Sequence, residues 1–381
     1  MDFEQNSEES GSEKLPLSLS ATVMAHPSRS FGAERVLAEL SLPGAEAVFD
    51  PRPDAPPGSL RTAAAALSRA TPEKSTHHLL LQDDVLPAED LPASVLECCR
   101  LHPDAALSFF VEWGSRTAVL ARMAVFSGIS AVPVINPYMP SLALAMPSAL
   151  TTGIAERMGR GSDGGADDGE PDDRALLRLL RERGVRTLTM VPNLVEHDDL
   201  PSLTGNTGQG VRRSACFTAE PGVPFDASVL DLPRLLPFYA WNTGDAVVID
   251  TAEDVPAAHR PTEEVLTGWG LGQDTSRRAL AATSGAAALA GTVRPDLLLD
   301  AWNTAVALGA VQEHTDPGSV ATLRDRAGLP LVRRALYTHV PGALRVFVDA
   351  VSLEPLEEEL VELTLAALEL GAGLDVPPGE L

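Results

Sequence analysis

Short apolar runs alternate with longer amphipathic stretches along the first half of the chain. Apolar side chains at every second position from Leu17 to Val23 predict a β-strand, and helical spacing over residues 31–40 predicts a helix behind it. Further strands are predicted at residues 45–49, 79–81, 105–113, 142–146 and 185–191, and further helices at residues 60–70, 91–101, 117–126, 147–158 and 174–184. This alternation predicts an α/β fold with a mostly parallel, Rossmann-like sheet flanked by helices.

The pattern changes after Phe217. Residues 220–261 are rich in proline and predict a connection that contains an aromatic anchor at 238–241 and one further strand at 246–249. Beyond this connection, residues 262–381 predict a mainly helical domain, with helices at residues 275–289, 295–313, 319–327, 331–337, 343–351 and 355–370. The chain is therefore predicted to have an α/β domain at residues 16–219 and a C-terminal helical domain.

Two polar stretches belong to neither pattern. Residues 1–15 are polar and acidic, which predicts a disordered lead-in. Residues 159–173 are rich in Gly and Asp and predict a mobile loop inside the α/β domain, either a lid over a site or an inert insertion.

Composition narrows the choice of partners. The chain has 381 residues, 44% of them hydrophobic, and a net charge of −24, which argues against nucleic acid or an anionic membrane as the main partner. Its three cysteines have neither metal-ligand spacing nor a disulfide-pairing pattern, so we expect the protein to reside in the reducing cytoplasm. An acidic protein that uses phosphorylated substrates needs a metal ion or local arginines to bind them.

A pair of carboxylates follows the predicted strand at residues 79–81. Asp83 and Asp84 come directly after Gln82 and should lie at the carboxyl end of the strand, where open α/β sheets bind ligands. Adjacent carboxylates in a dry site need a cation to offset their repulsion, and a hard divalent metal holding a phosphate would supply it. The alternative is that both residues open a turn before the next helix.

Polar residues also follow the first two predicted strands. His26 and Arg29 stand where a diphosphate could bind above the first strand. The alternative is that His26 caps a helix and that Arg29 is an exposed helix residue, which explains them equally well. Asp50 ends the second strand and could accept a hydrogen bond from a ribose hydroxyl or a base, although a solvated turn would also use an Asp.

Two later segments carry further candidates. Asp172 and Asp173 precede a predicted helix, where an Asp is usually a cap. His197 follows a predicted strand and is flanked by acids that could orient its ring, as expected of a metal ligand or a proton carrier. An isolated loop histidine is the simpler interpretation.

Four segments taken together carry a resemblance to a known family. They are Ala-His-Pro-x-Arg at 25–29, Thr-His-His-Leu-Leu-Leu-Gln-Asp-Asp at 76–84, Asp-Asp at 172–173 and Pro-Asn-Leu-Val-Glu-His at 192–197. This order resembles small glycosyltransferases of the GT-A type from actinobacteria and their phages. The resemblance covers residues 17–217 and implies a GT-A fold in which a nucleotide sugar lies across the ends of the first strands.

The resemblance also implies roles for individual residues. Asp84 would match the acidic motif that holds Mn²⁺ or Mg²⁺ on the donor diphosphate, and Asp83 would belong to the same donor site. Asp50 would match the acid near the nucleoside, and His197 would match a late histidine that contacts the metal or the diphosphate. His26 and Arg29 complete the donor site in this interpretation.

The acceptor side follows the same resemblance. Asp172 or Asp173 would match the acid that removes the acceptor proton in inverting members. The long Gly- and Asp-rich connection before them departs from the family pattern and leaves Asp167 and Asp168 as alternatives.

The sequence therefore predicts a metal-dependent glycosyltransferase that uses a nucleotide-diphosphate sugar and a hydroxyl acceptor on a small molecule, peptide or glycan. A non-catalytic GT-A-like scaffold, whose helical domain binds a partner, is the first alternative. A metal phosphohydrolase or nucleotidyltransferase is the second, prompted by His197 and Asp198. The helical domain also makes a homodimer plausible.

Overall fold

The computed structural model describes residues 16–56, 58–161, 170–201, 203, 205–252, 259–377 and 379–381. The lead-in predicted at residues 1–15 lies outside the described residues. So does most of the predicted mobile loop, including the alternative acids Asp167 and Asp168.

The central sheet has seven strands. They are β1 (Leu19–Ala25), β2 (Glu46–Phe49), β3 (His77–Gln82), β5 (Ala106–Ser108), β6 (Ala131–Pro133), β7 (Ala143–Pro147) and β8 (Thr187–Met190), whereas β4 (Val85–Pro87) lies outside this sheet. Their order across the sheet is β2-β1-β3-β7-β5-β8-β6. The pairs β2–β1, β1–β3 and β5–β8 are parallel, whereas β7 and β6 run antiparallel to their neighbours. Five strands therefore share one direction, which confirms the predicted α/β class with a mostly parallel sheet.

Helices cover both faces of this sheet. The helices of the α/β part are α1 (Ser30–Leu40), α2 (Leu60–Leu67), α3 (Leu91–Leu101), α4 (Arg116–Ser127), α5 (Ser148–Gly161) and α6 (Asp172–Glu182). Successive strand side chains point to opposite faces, so Leu79 and Leu81 pack with α1 and α3, whereas Leu80 packs with α2, α5 and α6. The three-leucine run of β3 is therefore buried on both sides.

Helices also dominate the C-terminal region. They are α7 (Thr262–Gly268), α8 (Gln273–Ala281), α9 (Ser284–Leu289), α10 (Pro295–Thr315), α11 (Leu323–Arg326), α12 (Pro330–Tyr337), α13 (His339–Leu344), α14 (Ala350–Leu353) and α15 (Glu357–Ala372). Helices α10 and α15 pack closely, since a side chain at Gly371 would come within 1.8 Å of the Val306 carbonyl oxygen. This region shares one hydrophobic core with α4 of the α/β part.

The segment predicted as a connection contains more strands than the sequence indicates. Strand β10 (Leu235–Ala240) pairs with β11 (Asp245–Asp250), and β11 pairs with β12 (His259–Pro261) in an antiparallel sheet. Only the strand at 246–249 is predicted. Pro237 argues against a strand at β10 in the sequence, because proline lacks the N–H that a central strand needs. In the structure β10 lies at an edge of its sheet, where this donor is not needed.

Some predicted elements are shorter or divided. The strand predicted at residues 105–113 leaves the sheet after Ser108, because the following residues pair elsewhere: the Leu194 amide donates to the Phe109 carbonyl at 2.9 Å, and Glu112 bridges to Ser214. The helix predicted at 275–289 is divided into α8 and α9, since the Thr283 side chain caps the second helix by accepting from the Ala286 amide at 3.2 Å.

The helix predicted at 343–351 is likewise divided, into α13 and α14. None of the described helices combines the length and the apolar character needed to span a bilayer.

Candidate functional site

The acidic pair lies at the carboxyl end of β3, as the sequence predicts. Asp83 and Asp84 follow the last residue of the strand, and each is only 6% exposed. Arg29 follows the neighbouring parallel strand β1, and its Nη1 lies 3.3 Å from Asp83 Oδ1 and 3.2 Å from Asp84 Oδ2. One guanidinium therefore bridges both carboxylates.

The two carboxylates differ in their surroundings. Burial and the adjacent Asp84 charge raise the pKa of Asp83, although Arg29 and the His26 amide, 3.4 Å away, act in the opposite direction. The Oδ1 atom of Asp84 is buried and has no hydrogen-bond partner among the residues that the structure describes. A buried carboxylate oxygen without a donor is costly, and a cation would compensate it.

Helix α1 approaches the acidic pair through a glycine. A Cβ atom at Gly32 would lie 2.5 Å from the carbonyl oxygen of Asp83. The first turn of α1 can therefore reach the Asp83 backbone only because residue 32 has no side chain.

His197 lies beside the acidic pair because of a short β-ladder. Strand β4 (Val85–Pro87) pairs antiparallel with β9 (Val195–His197), and Val85 is opposite His197. His197 Nε2 lies 3.6 Å from Asp84 Oδ2, and its Nδ1 lies 3.3 Å from Asp199 Oδ1. Asp199, rather than the adjacent Asp198, is the acid that orients the ring.

Two arginines that sequence reasoning missed complete the surroundings of His197. Arg212 Nη2 donates to His197 Nε2 at 2.9 Å, and Arg213 Nη2 lies 3.0 Å from Asp199 Oδ2. Because an arginine can only donate, Nε2 must be the acceptor, and we assign the ring proton to Nδ1, facing Asp199. The consecutive arginines were the available signal, but no predicted element placed them near the sheet.

Asp50 lies at the end of β2, where the Asp50 amide donates to the Ala25 carbonyl at 2.9 Å. Its carboxylate binds Arg61 through two contacts of 2.7 Å. Burial opposes ionisation of Asp50, but hydrogen bonds from Arg61 and the Arg52 amide outweigh it and lower the pKa. Asp50 is thus ionised and holds Arg61, which lines a cavity of about 580 Å³ between α2 and α5.

His26 lies between the acidic pair and the Asp50 loop. Its backbone amide faces Asp83, while its ring contacts Ser28 Oγ at 2.7 Å and the Pro53 carbonyl oxygen at 3.4 Å. His26 also caps the short turn that carries Arg29, so the cap interpretation of this histidine is correct in geometry.

The acids at the start of α6 reach the same edge of the sheet. Gln82 Nε2 donates to Ser141 Oγ at 3.3 Å, and Ser141 Oγ donates to Asp172 Oδ2 at 3.0 Å. Burial raises the pKa of Asp172. Burial, followed by the Asp172 charge, raises the pKa of Asp173 to about 6. A chain of two hydrogen bonds through Ser141 therefore links Asp172 to Gln82, the residue that precedes the acidic pair.

The C-terminal region adds a second charged group near this edge. Arg345 Nη1 lies 2.5 Å from Glu112 Oε1, and its guanidinium lies 3.8 Å from the centre of the Trp241 ring. Residues 345–350, with Gly208, Gly210 and Val211, line a cavity of about 350 Å³. The chain continues from this cavity directly to Arg212.

The fit of a divalent cation depends on Asp84 and His197. Among the residues that the structure describes, no group of three or more His, Cys, Asp and Glu side chains is arranged to hold a metal ion. Mg²⁺, however, is usually bound by one or two protein carboxylates together with substrate phosphates. Asp84 Oδ1, which has no hydrogen-bond partner among the described residues, fits such a shared site. His197 Nε2 could join it only when Arg212, which donates to this nitrogen at 2.9 Å, turns away from it, for example toward the phosphates.

No protein-family model matches this sequence, and no curated protein matches it. The fold and the site by themselves define an α/β protein with carboxylates, a histidine and arginines gathered at the carboxyl edge of its main sheet.

Proposed function

We propose that this protein is a GT-A-type glycosyltransferase that transfers a sugar from a nucleotide-diphosphate donor to a hydroxyl acceptor, with Mn²⁺ or Mg²⁺ as cofactor. The observation that supports it most directly is the cluster of Asp83, Asp84, Arg29 and His197 at the carboxyl end of β3. Open α/β sheets bind ligands at this edge.

The donor diphosphate would lie among charges of both signs. Asp84 and His197 would hold the metal ion, and Arg29 and Arg212 would supply positive charge to the phosphates. A divalent ion on a diphosphate makes it a better leaving group. The nucleoside would lie toward Asp50, whose carboxylate holds the Arg61 guanidinium in place.

The acceptor would lie toward α6. Asp173 has a pKa raised to about 6, so most of it is ionised at pH 7 and it remains basic enough to accept a hydroxyl proton. Asp172 is held by Ser141 and acts on Asp173 through its charge. We place the activity in the cytoplasm, which suits the free cysteines Cys98, Cys99 and Cys216.

A second candidate function has its own supporting observation. Arg29 already bridges Asp83 and Asp84, and Arg212 already contacts His197, so protein cations compensate the charges that a metal ion would meet. This arrangement favours a non-catalytic scaffold with the same fold, in which the charged edge stabilises the structure.

A thermal-shift screen of nucleoside diphosphates, with and without Mn²⁺, distinguishes the two functions. The glycosyltransferase requires a saturable stabilisation by one diphosphate that depends on Mn²⁺ and is lost in Asp84→Ala and His197→Ala variants with wild-type circular dichroism. Absence of any metal-dependent response would support the scaffold. Once a diphosphate is found, hydrolysis or transfer of the matching sugar donors tests catalysis.

A further inference from the structure

Arg334 reaches the site from the C-terminal helical region. It lies on α12, and its Nη2 is 2.6 Å from Glu196 Oε2. The Glu196 side chain is 8% exposed, and the Arg334 side chain is 27% exposed. The contact joins residues that are 138 positions apart in the chain.

The Glu196 carboxylate holds two backbone segments at once. Its Oε1 accepts from the His197 amide at 3.0 Å and from the Ser214 amide at 2.6 Å. The first amide belongs to the residue that faces Asp84. The second lies two residues after Arg212, whose side chain contacts the His197 ring. One carboxylate therefore fixes both partners of the His197–Arg212 contact.

Helix α12 is attached to the same segment by further contacts. Arg334 Nη2 also lies 3.3 Å from the Ser214 carbonyl oxygen, and Thr338 Oγ1 donates to the Ala215 carbonyl at 2.8 Å. The helical region thus contacts the backbone that carries Arg212 and Arg213, and it supplies the cation that Glu196 faces.

A buried carboxylate needs this cation. The Glu196 side chain has little contact with water, and Arg334 Nη2 lies 2.6 Å from its Oε2. Removing one partner of a buried ion pair leaves an uncompensated charge, which is relieved by moving the segment toward water. This movement alters the two amide contacts that position His197.

We propose that Arg334 is a positioning residue, which acts through Glu196 to hold His197 against Asp84, so that the C-terminal helical region completes the candidate site. The consequence for metal and donor binding rests on the proposed function. The positioning of His197 does not depend on it.

The experiment compares the full-length wild type with Arg334→Met, Glu196→Gln and the double variant. The histidine ring signals are recorded by two-bond ¹H–¹⁵N NMR, with His197 assigned through His197→Ala, and Mn²⁺ affinity is measured by water-proton relaxation. Arg333→Met is the matched control, because Arg333 lies next to Arg334 on α12 but binds the exposed acids Glu357 and Glu358.

In Arg334→Met we expect the His197 ring signals to shift and Mn²⁺ to bind about 10- to 100-fold more weakly, the usual loss when a residue supporting a metal ligand is removed. The double variant should recover the wild-type His197 signals and the wild-type Mn²⁺ affinity, because an uncharged glutamine oxygen can accept from both the His197 and the Ser214 amides. Arg333→Met should match the wild type.

Wild-type His197 signals in Arg334→Met would overturn the proposal. If that variant does not fold, the double variant decides: wild-type His197 signals support the proposal, and displaced signals overturn it. Shifted His197 signals in Arg334→Met, combined with no Mn²⁺ binding by the wild type, would support the positioning role and contradict the proposed metal-dependent function.

Discussion

Replacing Arg29 by Met tests the charge balance of the acidic pair most directly. The substitution removes the guanidinium between Asp83 and Asp84 and retains much of the apolar stem. The side chains of Arg29, Asp83 and Asp84 are 14%, 8% and 9% exposed, so water can replace the lost cation only in part. The folded state would then hold two adjacent carboxylates without their bridging cation.

The distances set the scale of the effect. At 3.2 and 3.3 Å, each contact has a gross attraction of about 5 kcal/mol at an effective dielectric constant of about 20. Much of this attraction is offset by desolvation, and breaking a buried ion pair typically costs about 3–5 kcal/mol. We expect Arg29→Met to lower the free energy of unfolding by about 3 kcal/mol at pH 7, the lower value because the site is partly exposed.

The loss should depend on pH in a defined direction. The pKa of Asp83 is raised above its value of 3.8 in the unfolded chain, so the folded state takes up a proton first as the pH falls. Protonation of Asp83 removes its repulsion with Asp84. The difference in free energy of unfolding between the wild type and Arg29→Met should therefore shrink as the pH falls from 7 to 4. It should reappear as the pH rises through the folded pKa.

Urea unfolding followed by circular dichroism at several pH values measures this loss. Arg100→Met is the control, because Arg100 pairs with Glu97 on the surface of α3 and should leave the unfolding curve unchanged. Mn²⁺ should restore part of the lost stability if the site accepts a cation. An Arg29→Met protein as stable as the wild type at pH 7 would refute the view that the acidic pair needs a bridging cation.

Two further predictions concern the acids and the glycine beside them. Asp173→Asn should retain donor binding and lose transfer. The wild-type transfer rate should rise with pH through about 6 and then level off, because the base must be ionised. If the variant instead loses donor affinity, Asp173 belongs to the donor site. Gly32→Val should displace the Asp83 backbone, lower stability by about 1–3 kcal/mol and weaken Mn²⁺ binding, since its Cβ would meet the Asp83 carbonyl oxygen at 2.5 Å. Unchanged Mn²⁺ affinity in Gly32→Val would show that the contact between α1 and the Asp83 backbone does not support the metal site.

Several features of the fold follow from the sequence. The residues predicted for the helix at 91–101 are those of α3, and the three-leucine run is buried in β3. These elements depend on local spacing, which the chain carries within a few residues. Local spacing places Arg29 after β1 and the acidic pair after β3, but it does not make these two strands neighbours in the sheet.

Other features were decided by the tertiary structure. Insertion of the antiparallel strand β7 between β3 and β5 has no signal in the spacing of apolar residues. The contacts of Arg212 with His197, and of Arg334 with Glu196, join segments that show no predicted relation to each other. Sequence spacing could nominate His197 as a candidate, but it could not show which charges surround its ring.

The sequence alone determined the α/β alternation, the buried β3 strand and the position of the acidic pair after it, because these depend on periodicity and on residues adjacent in the chain. Only the tertiary structure decided that Arg29 lies between the two carboxylates and that the C-terminal region contributes Arg334. The physical reason is that a buried charge can be compensated by any cation that folding brings within a few ångströms, whatever its distance along the chain.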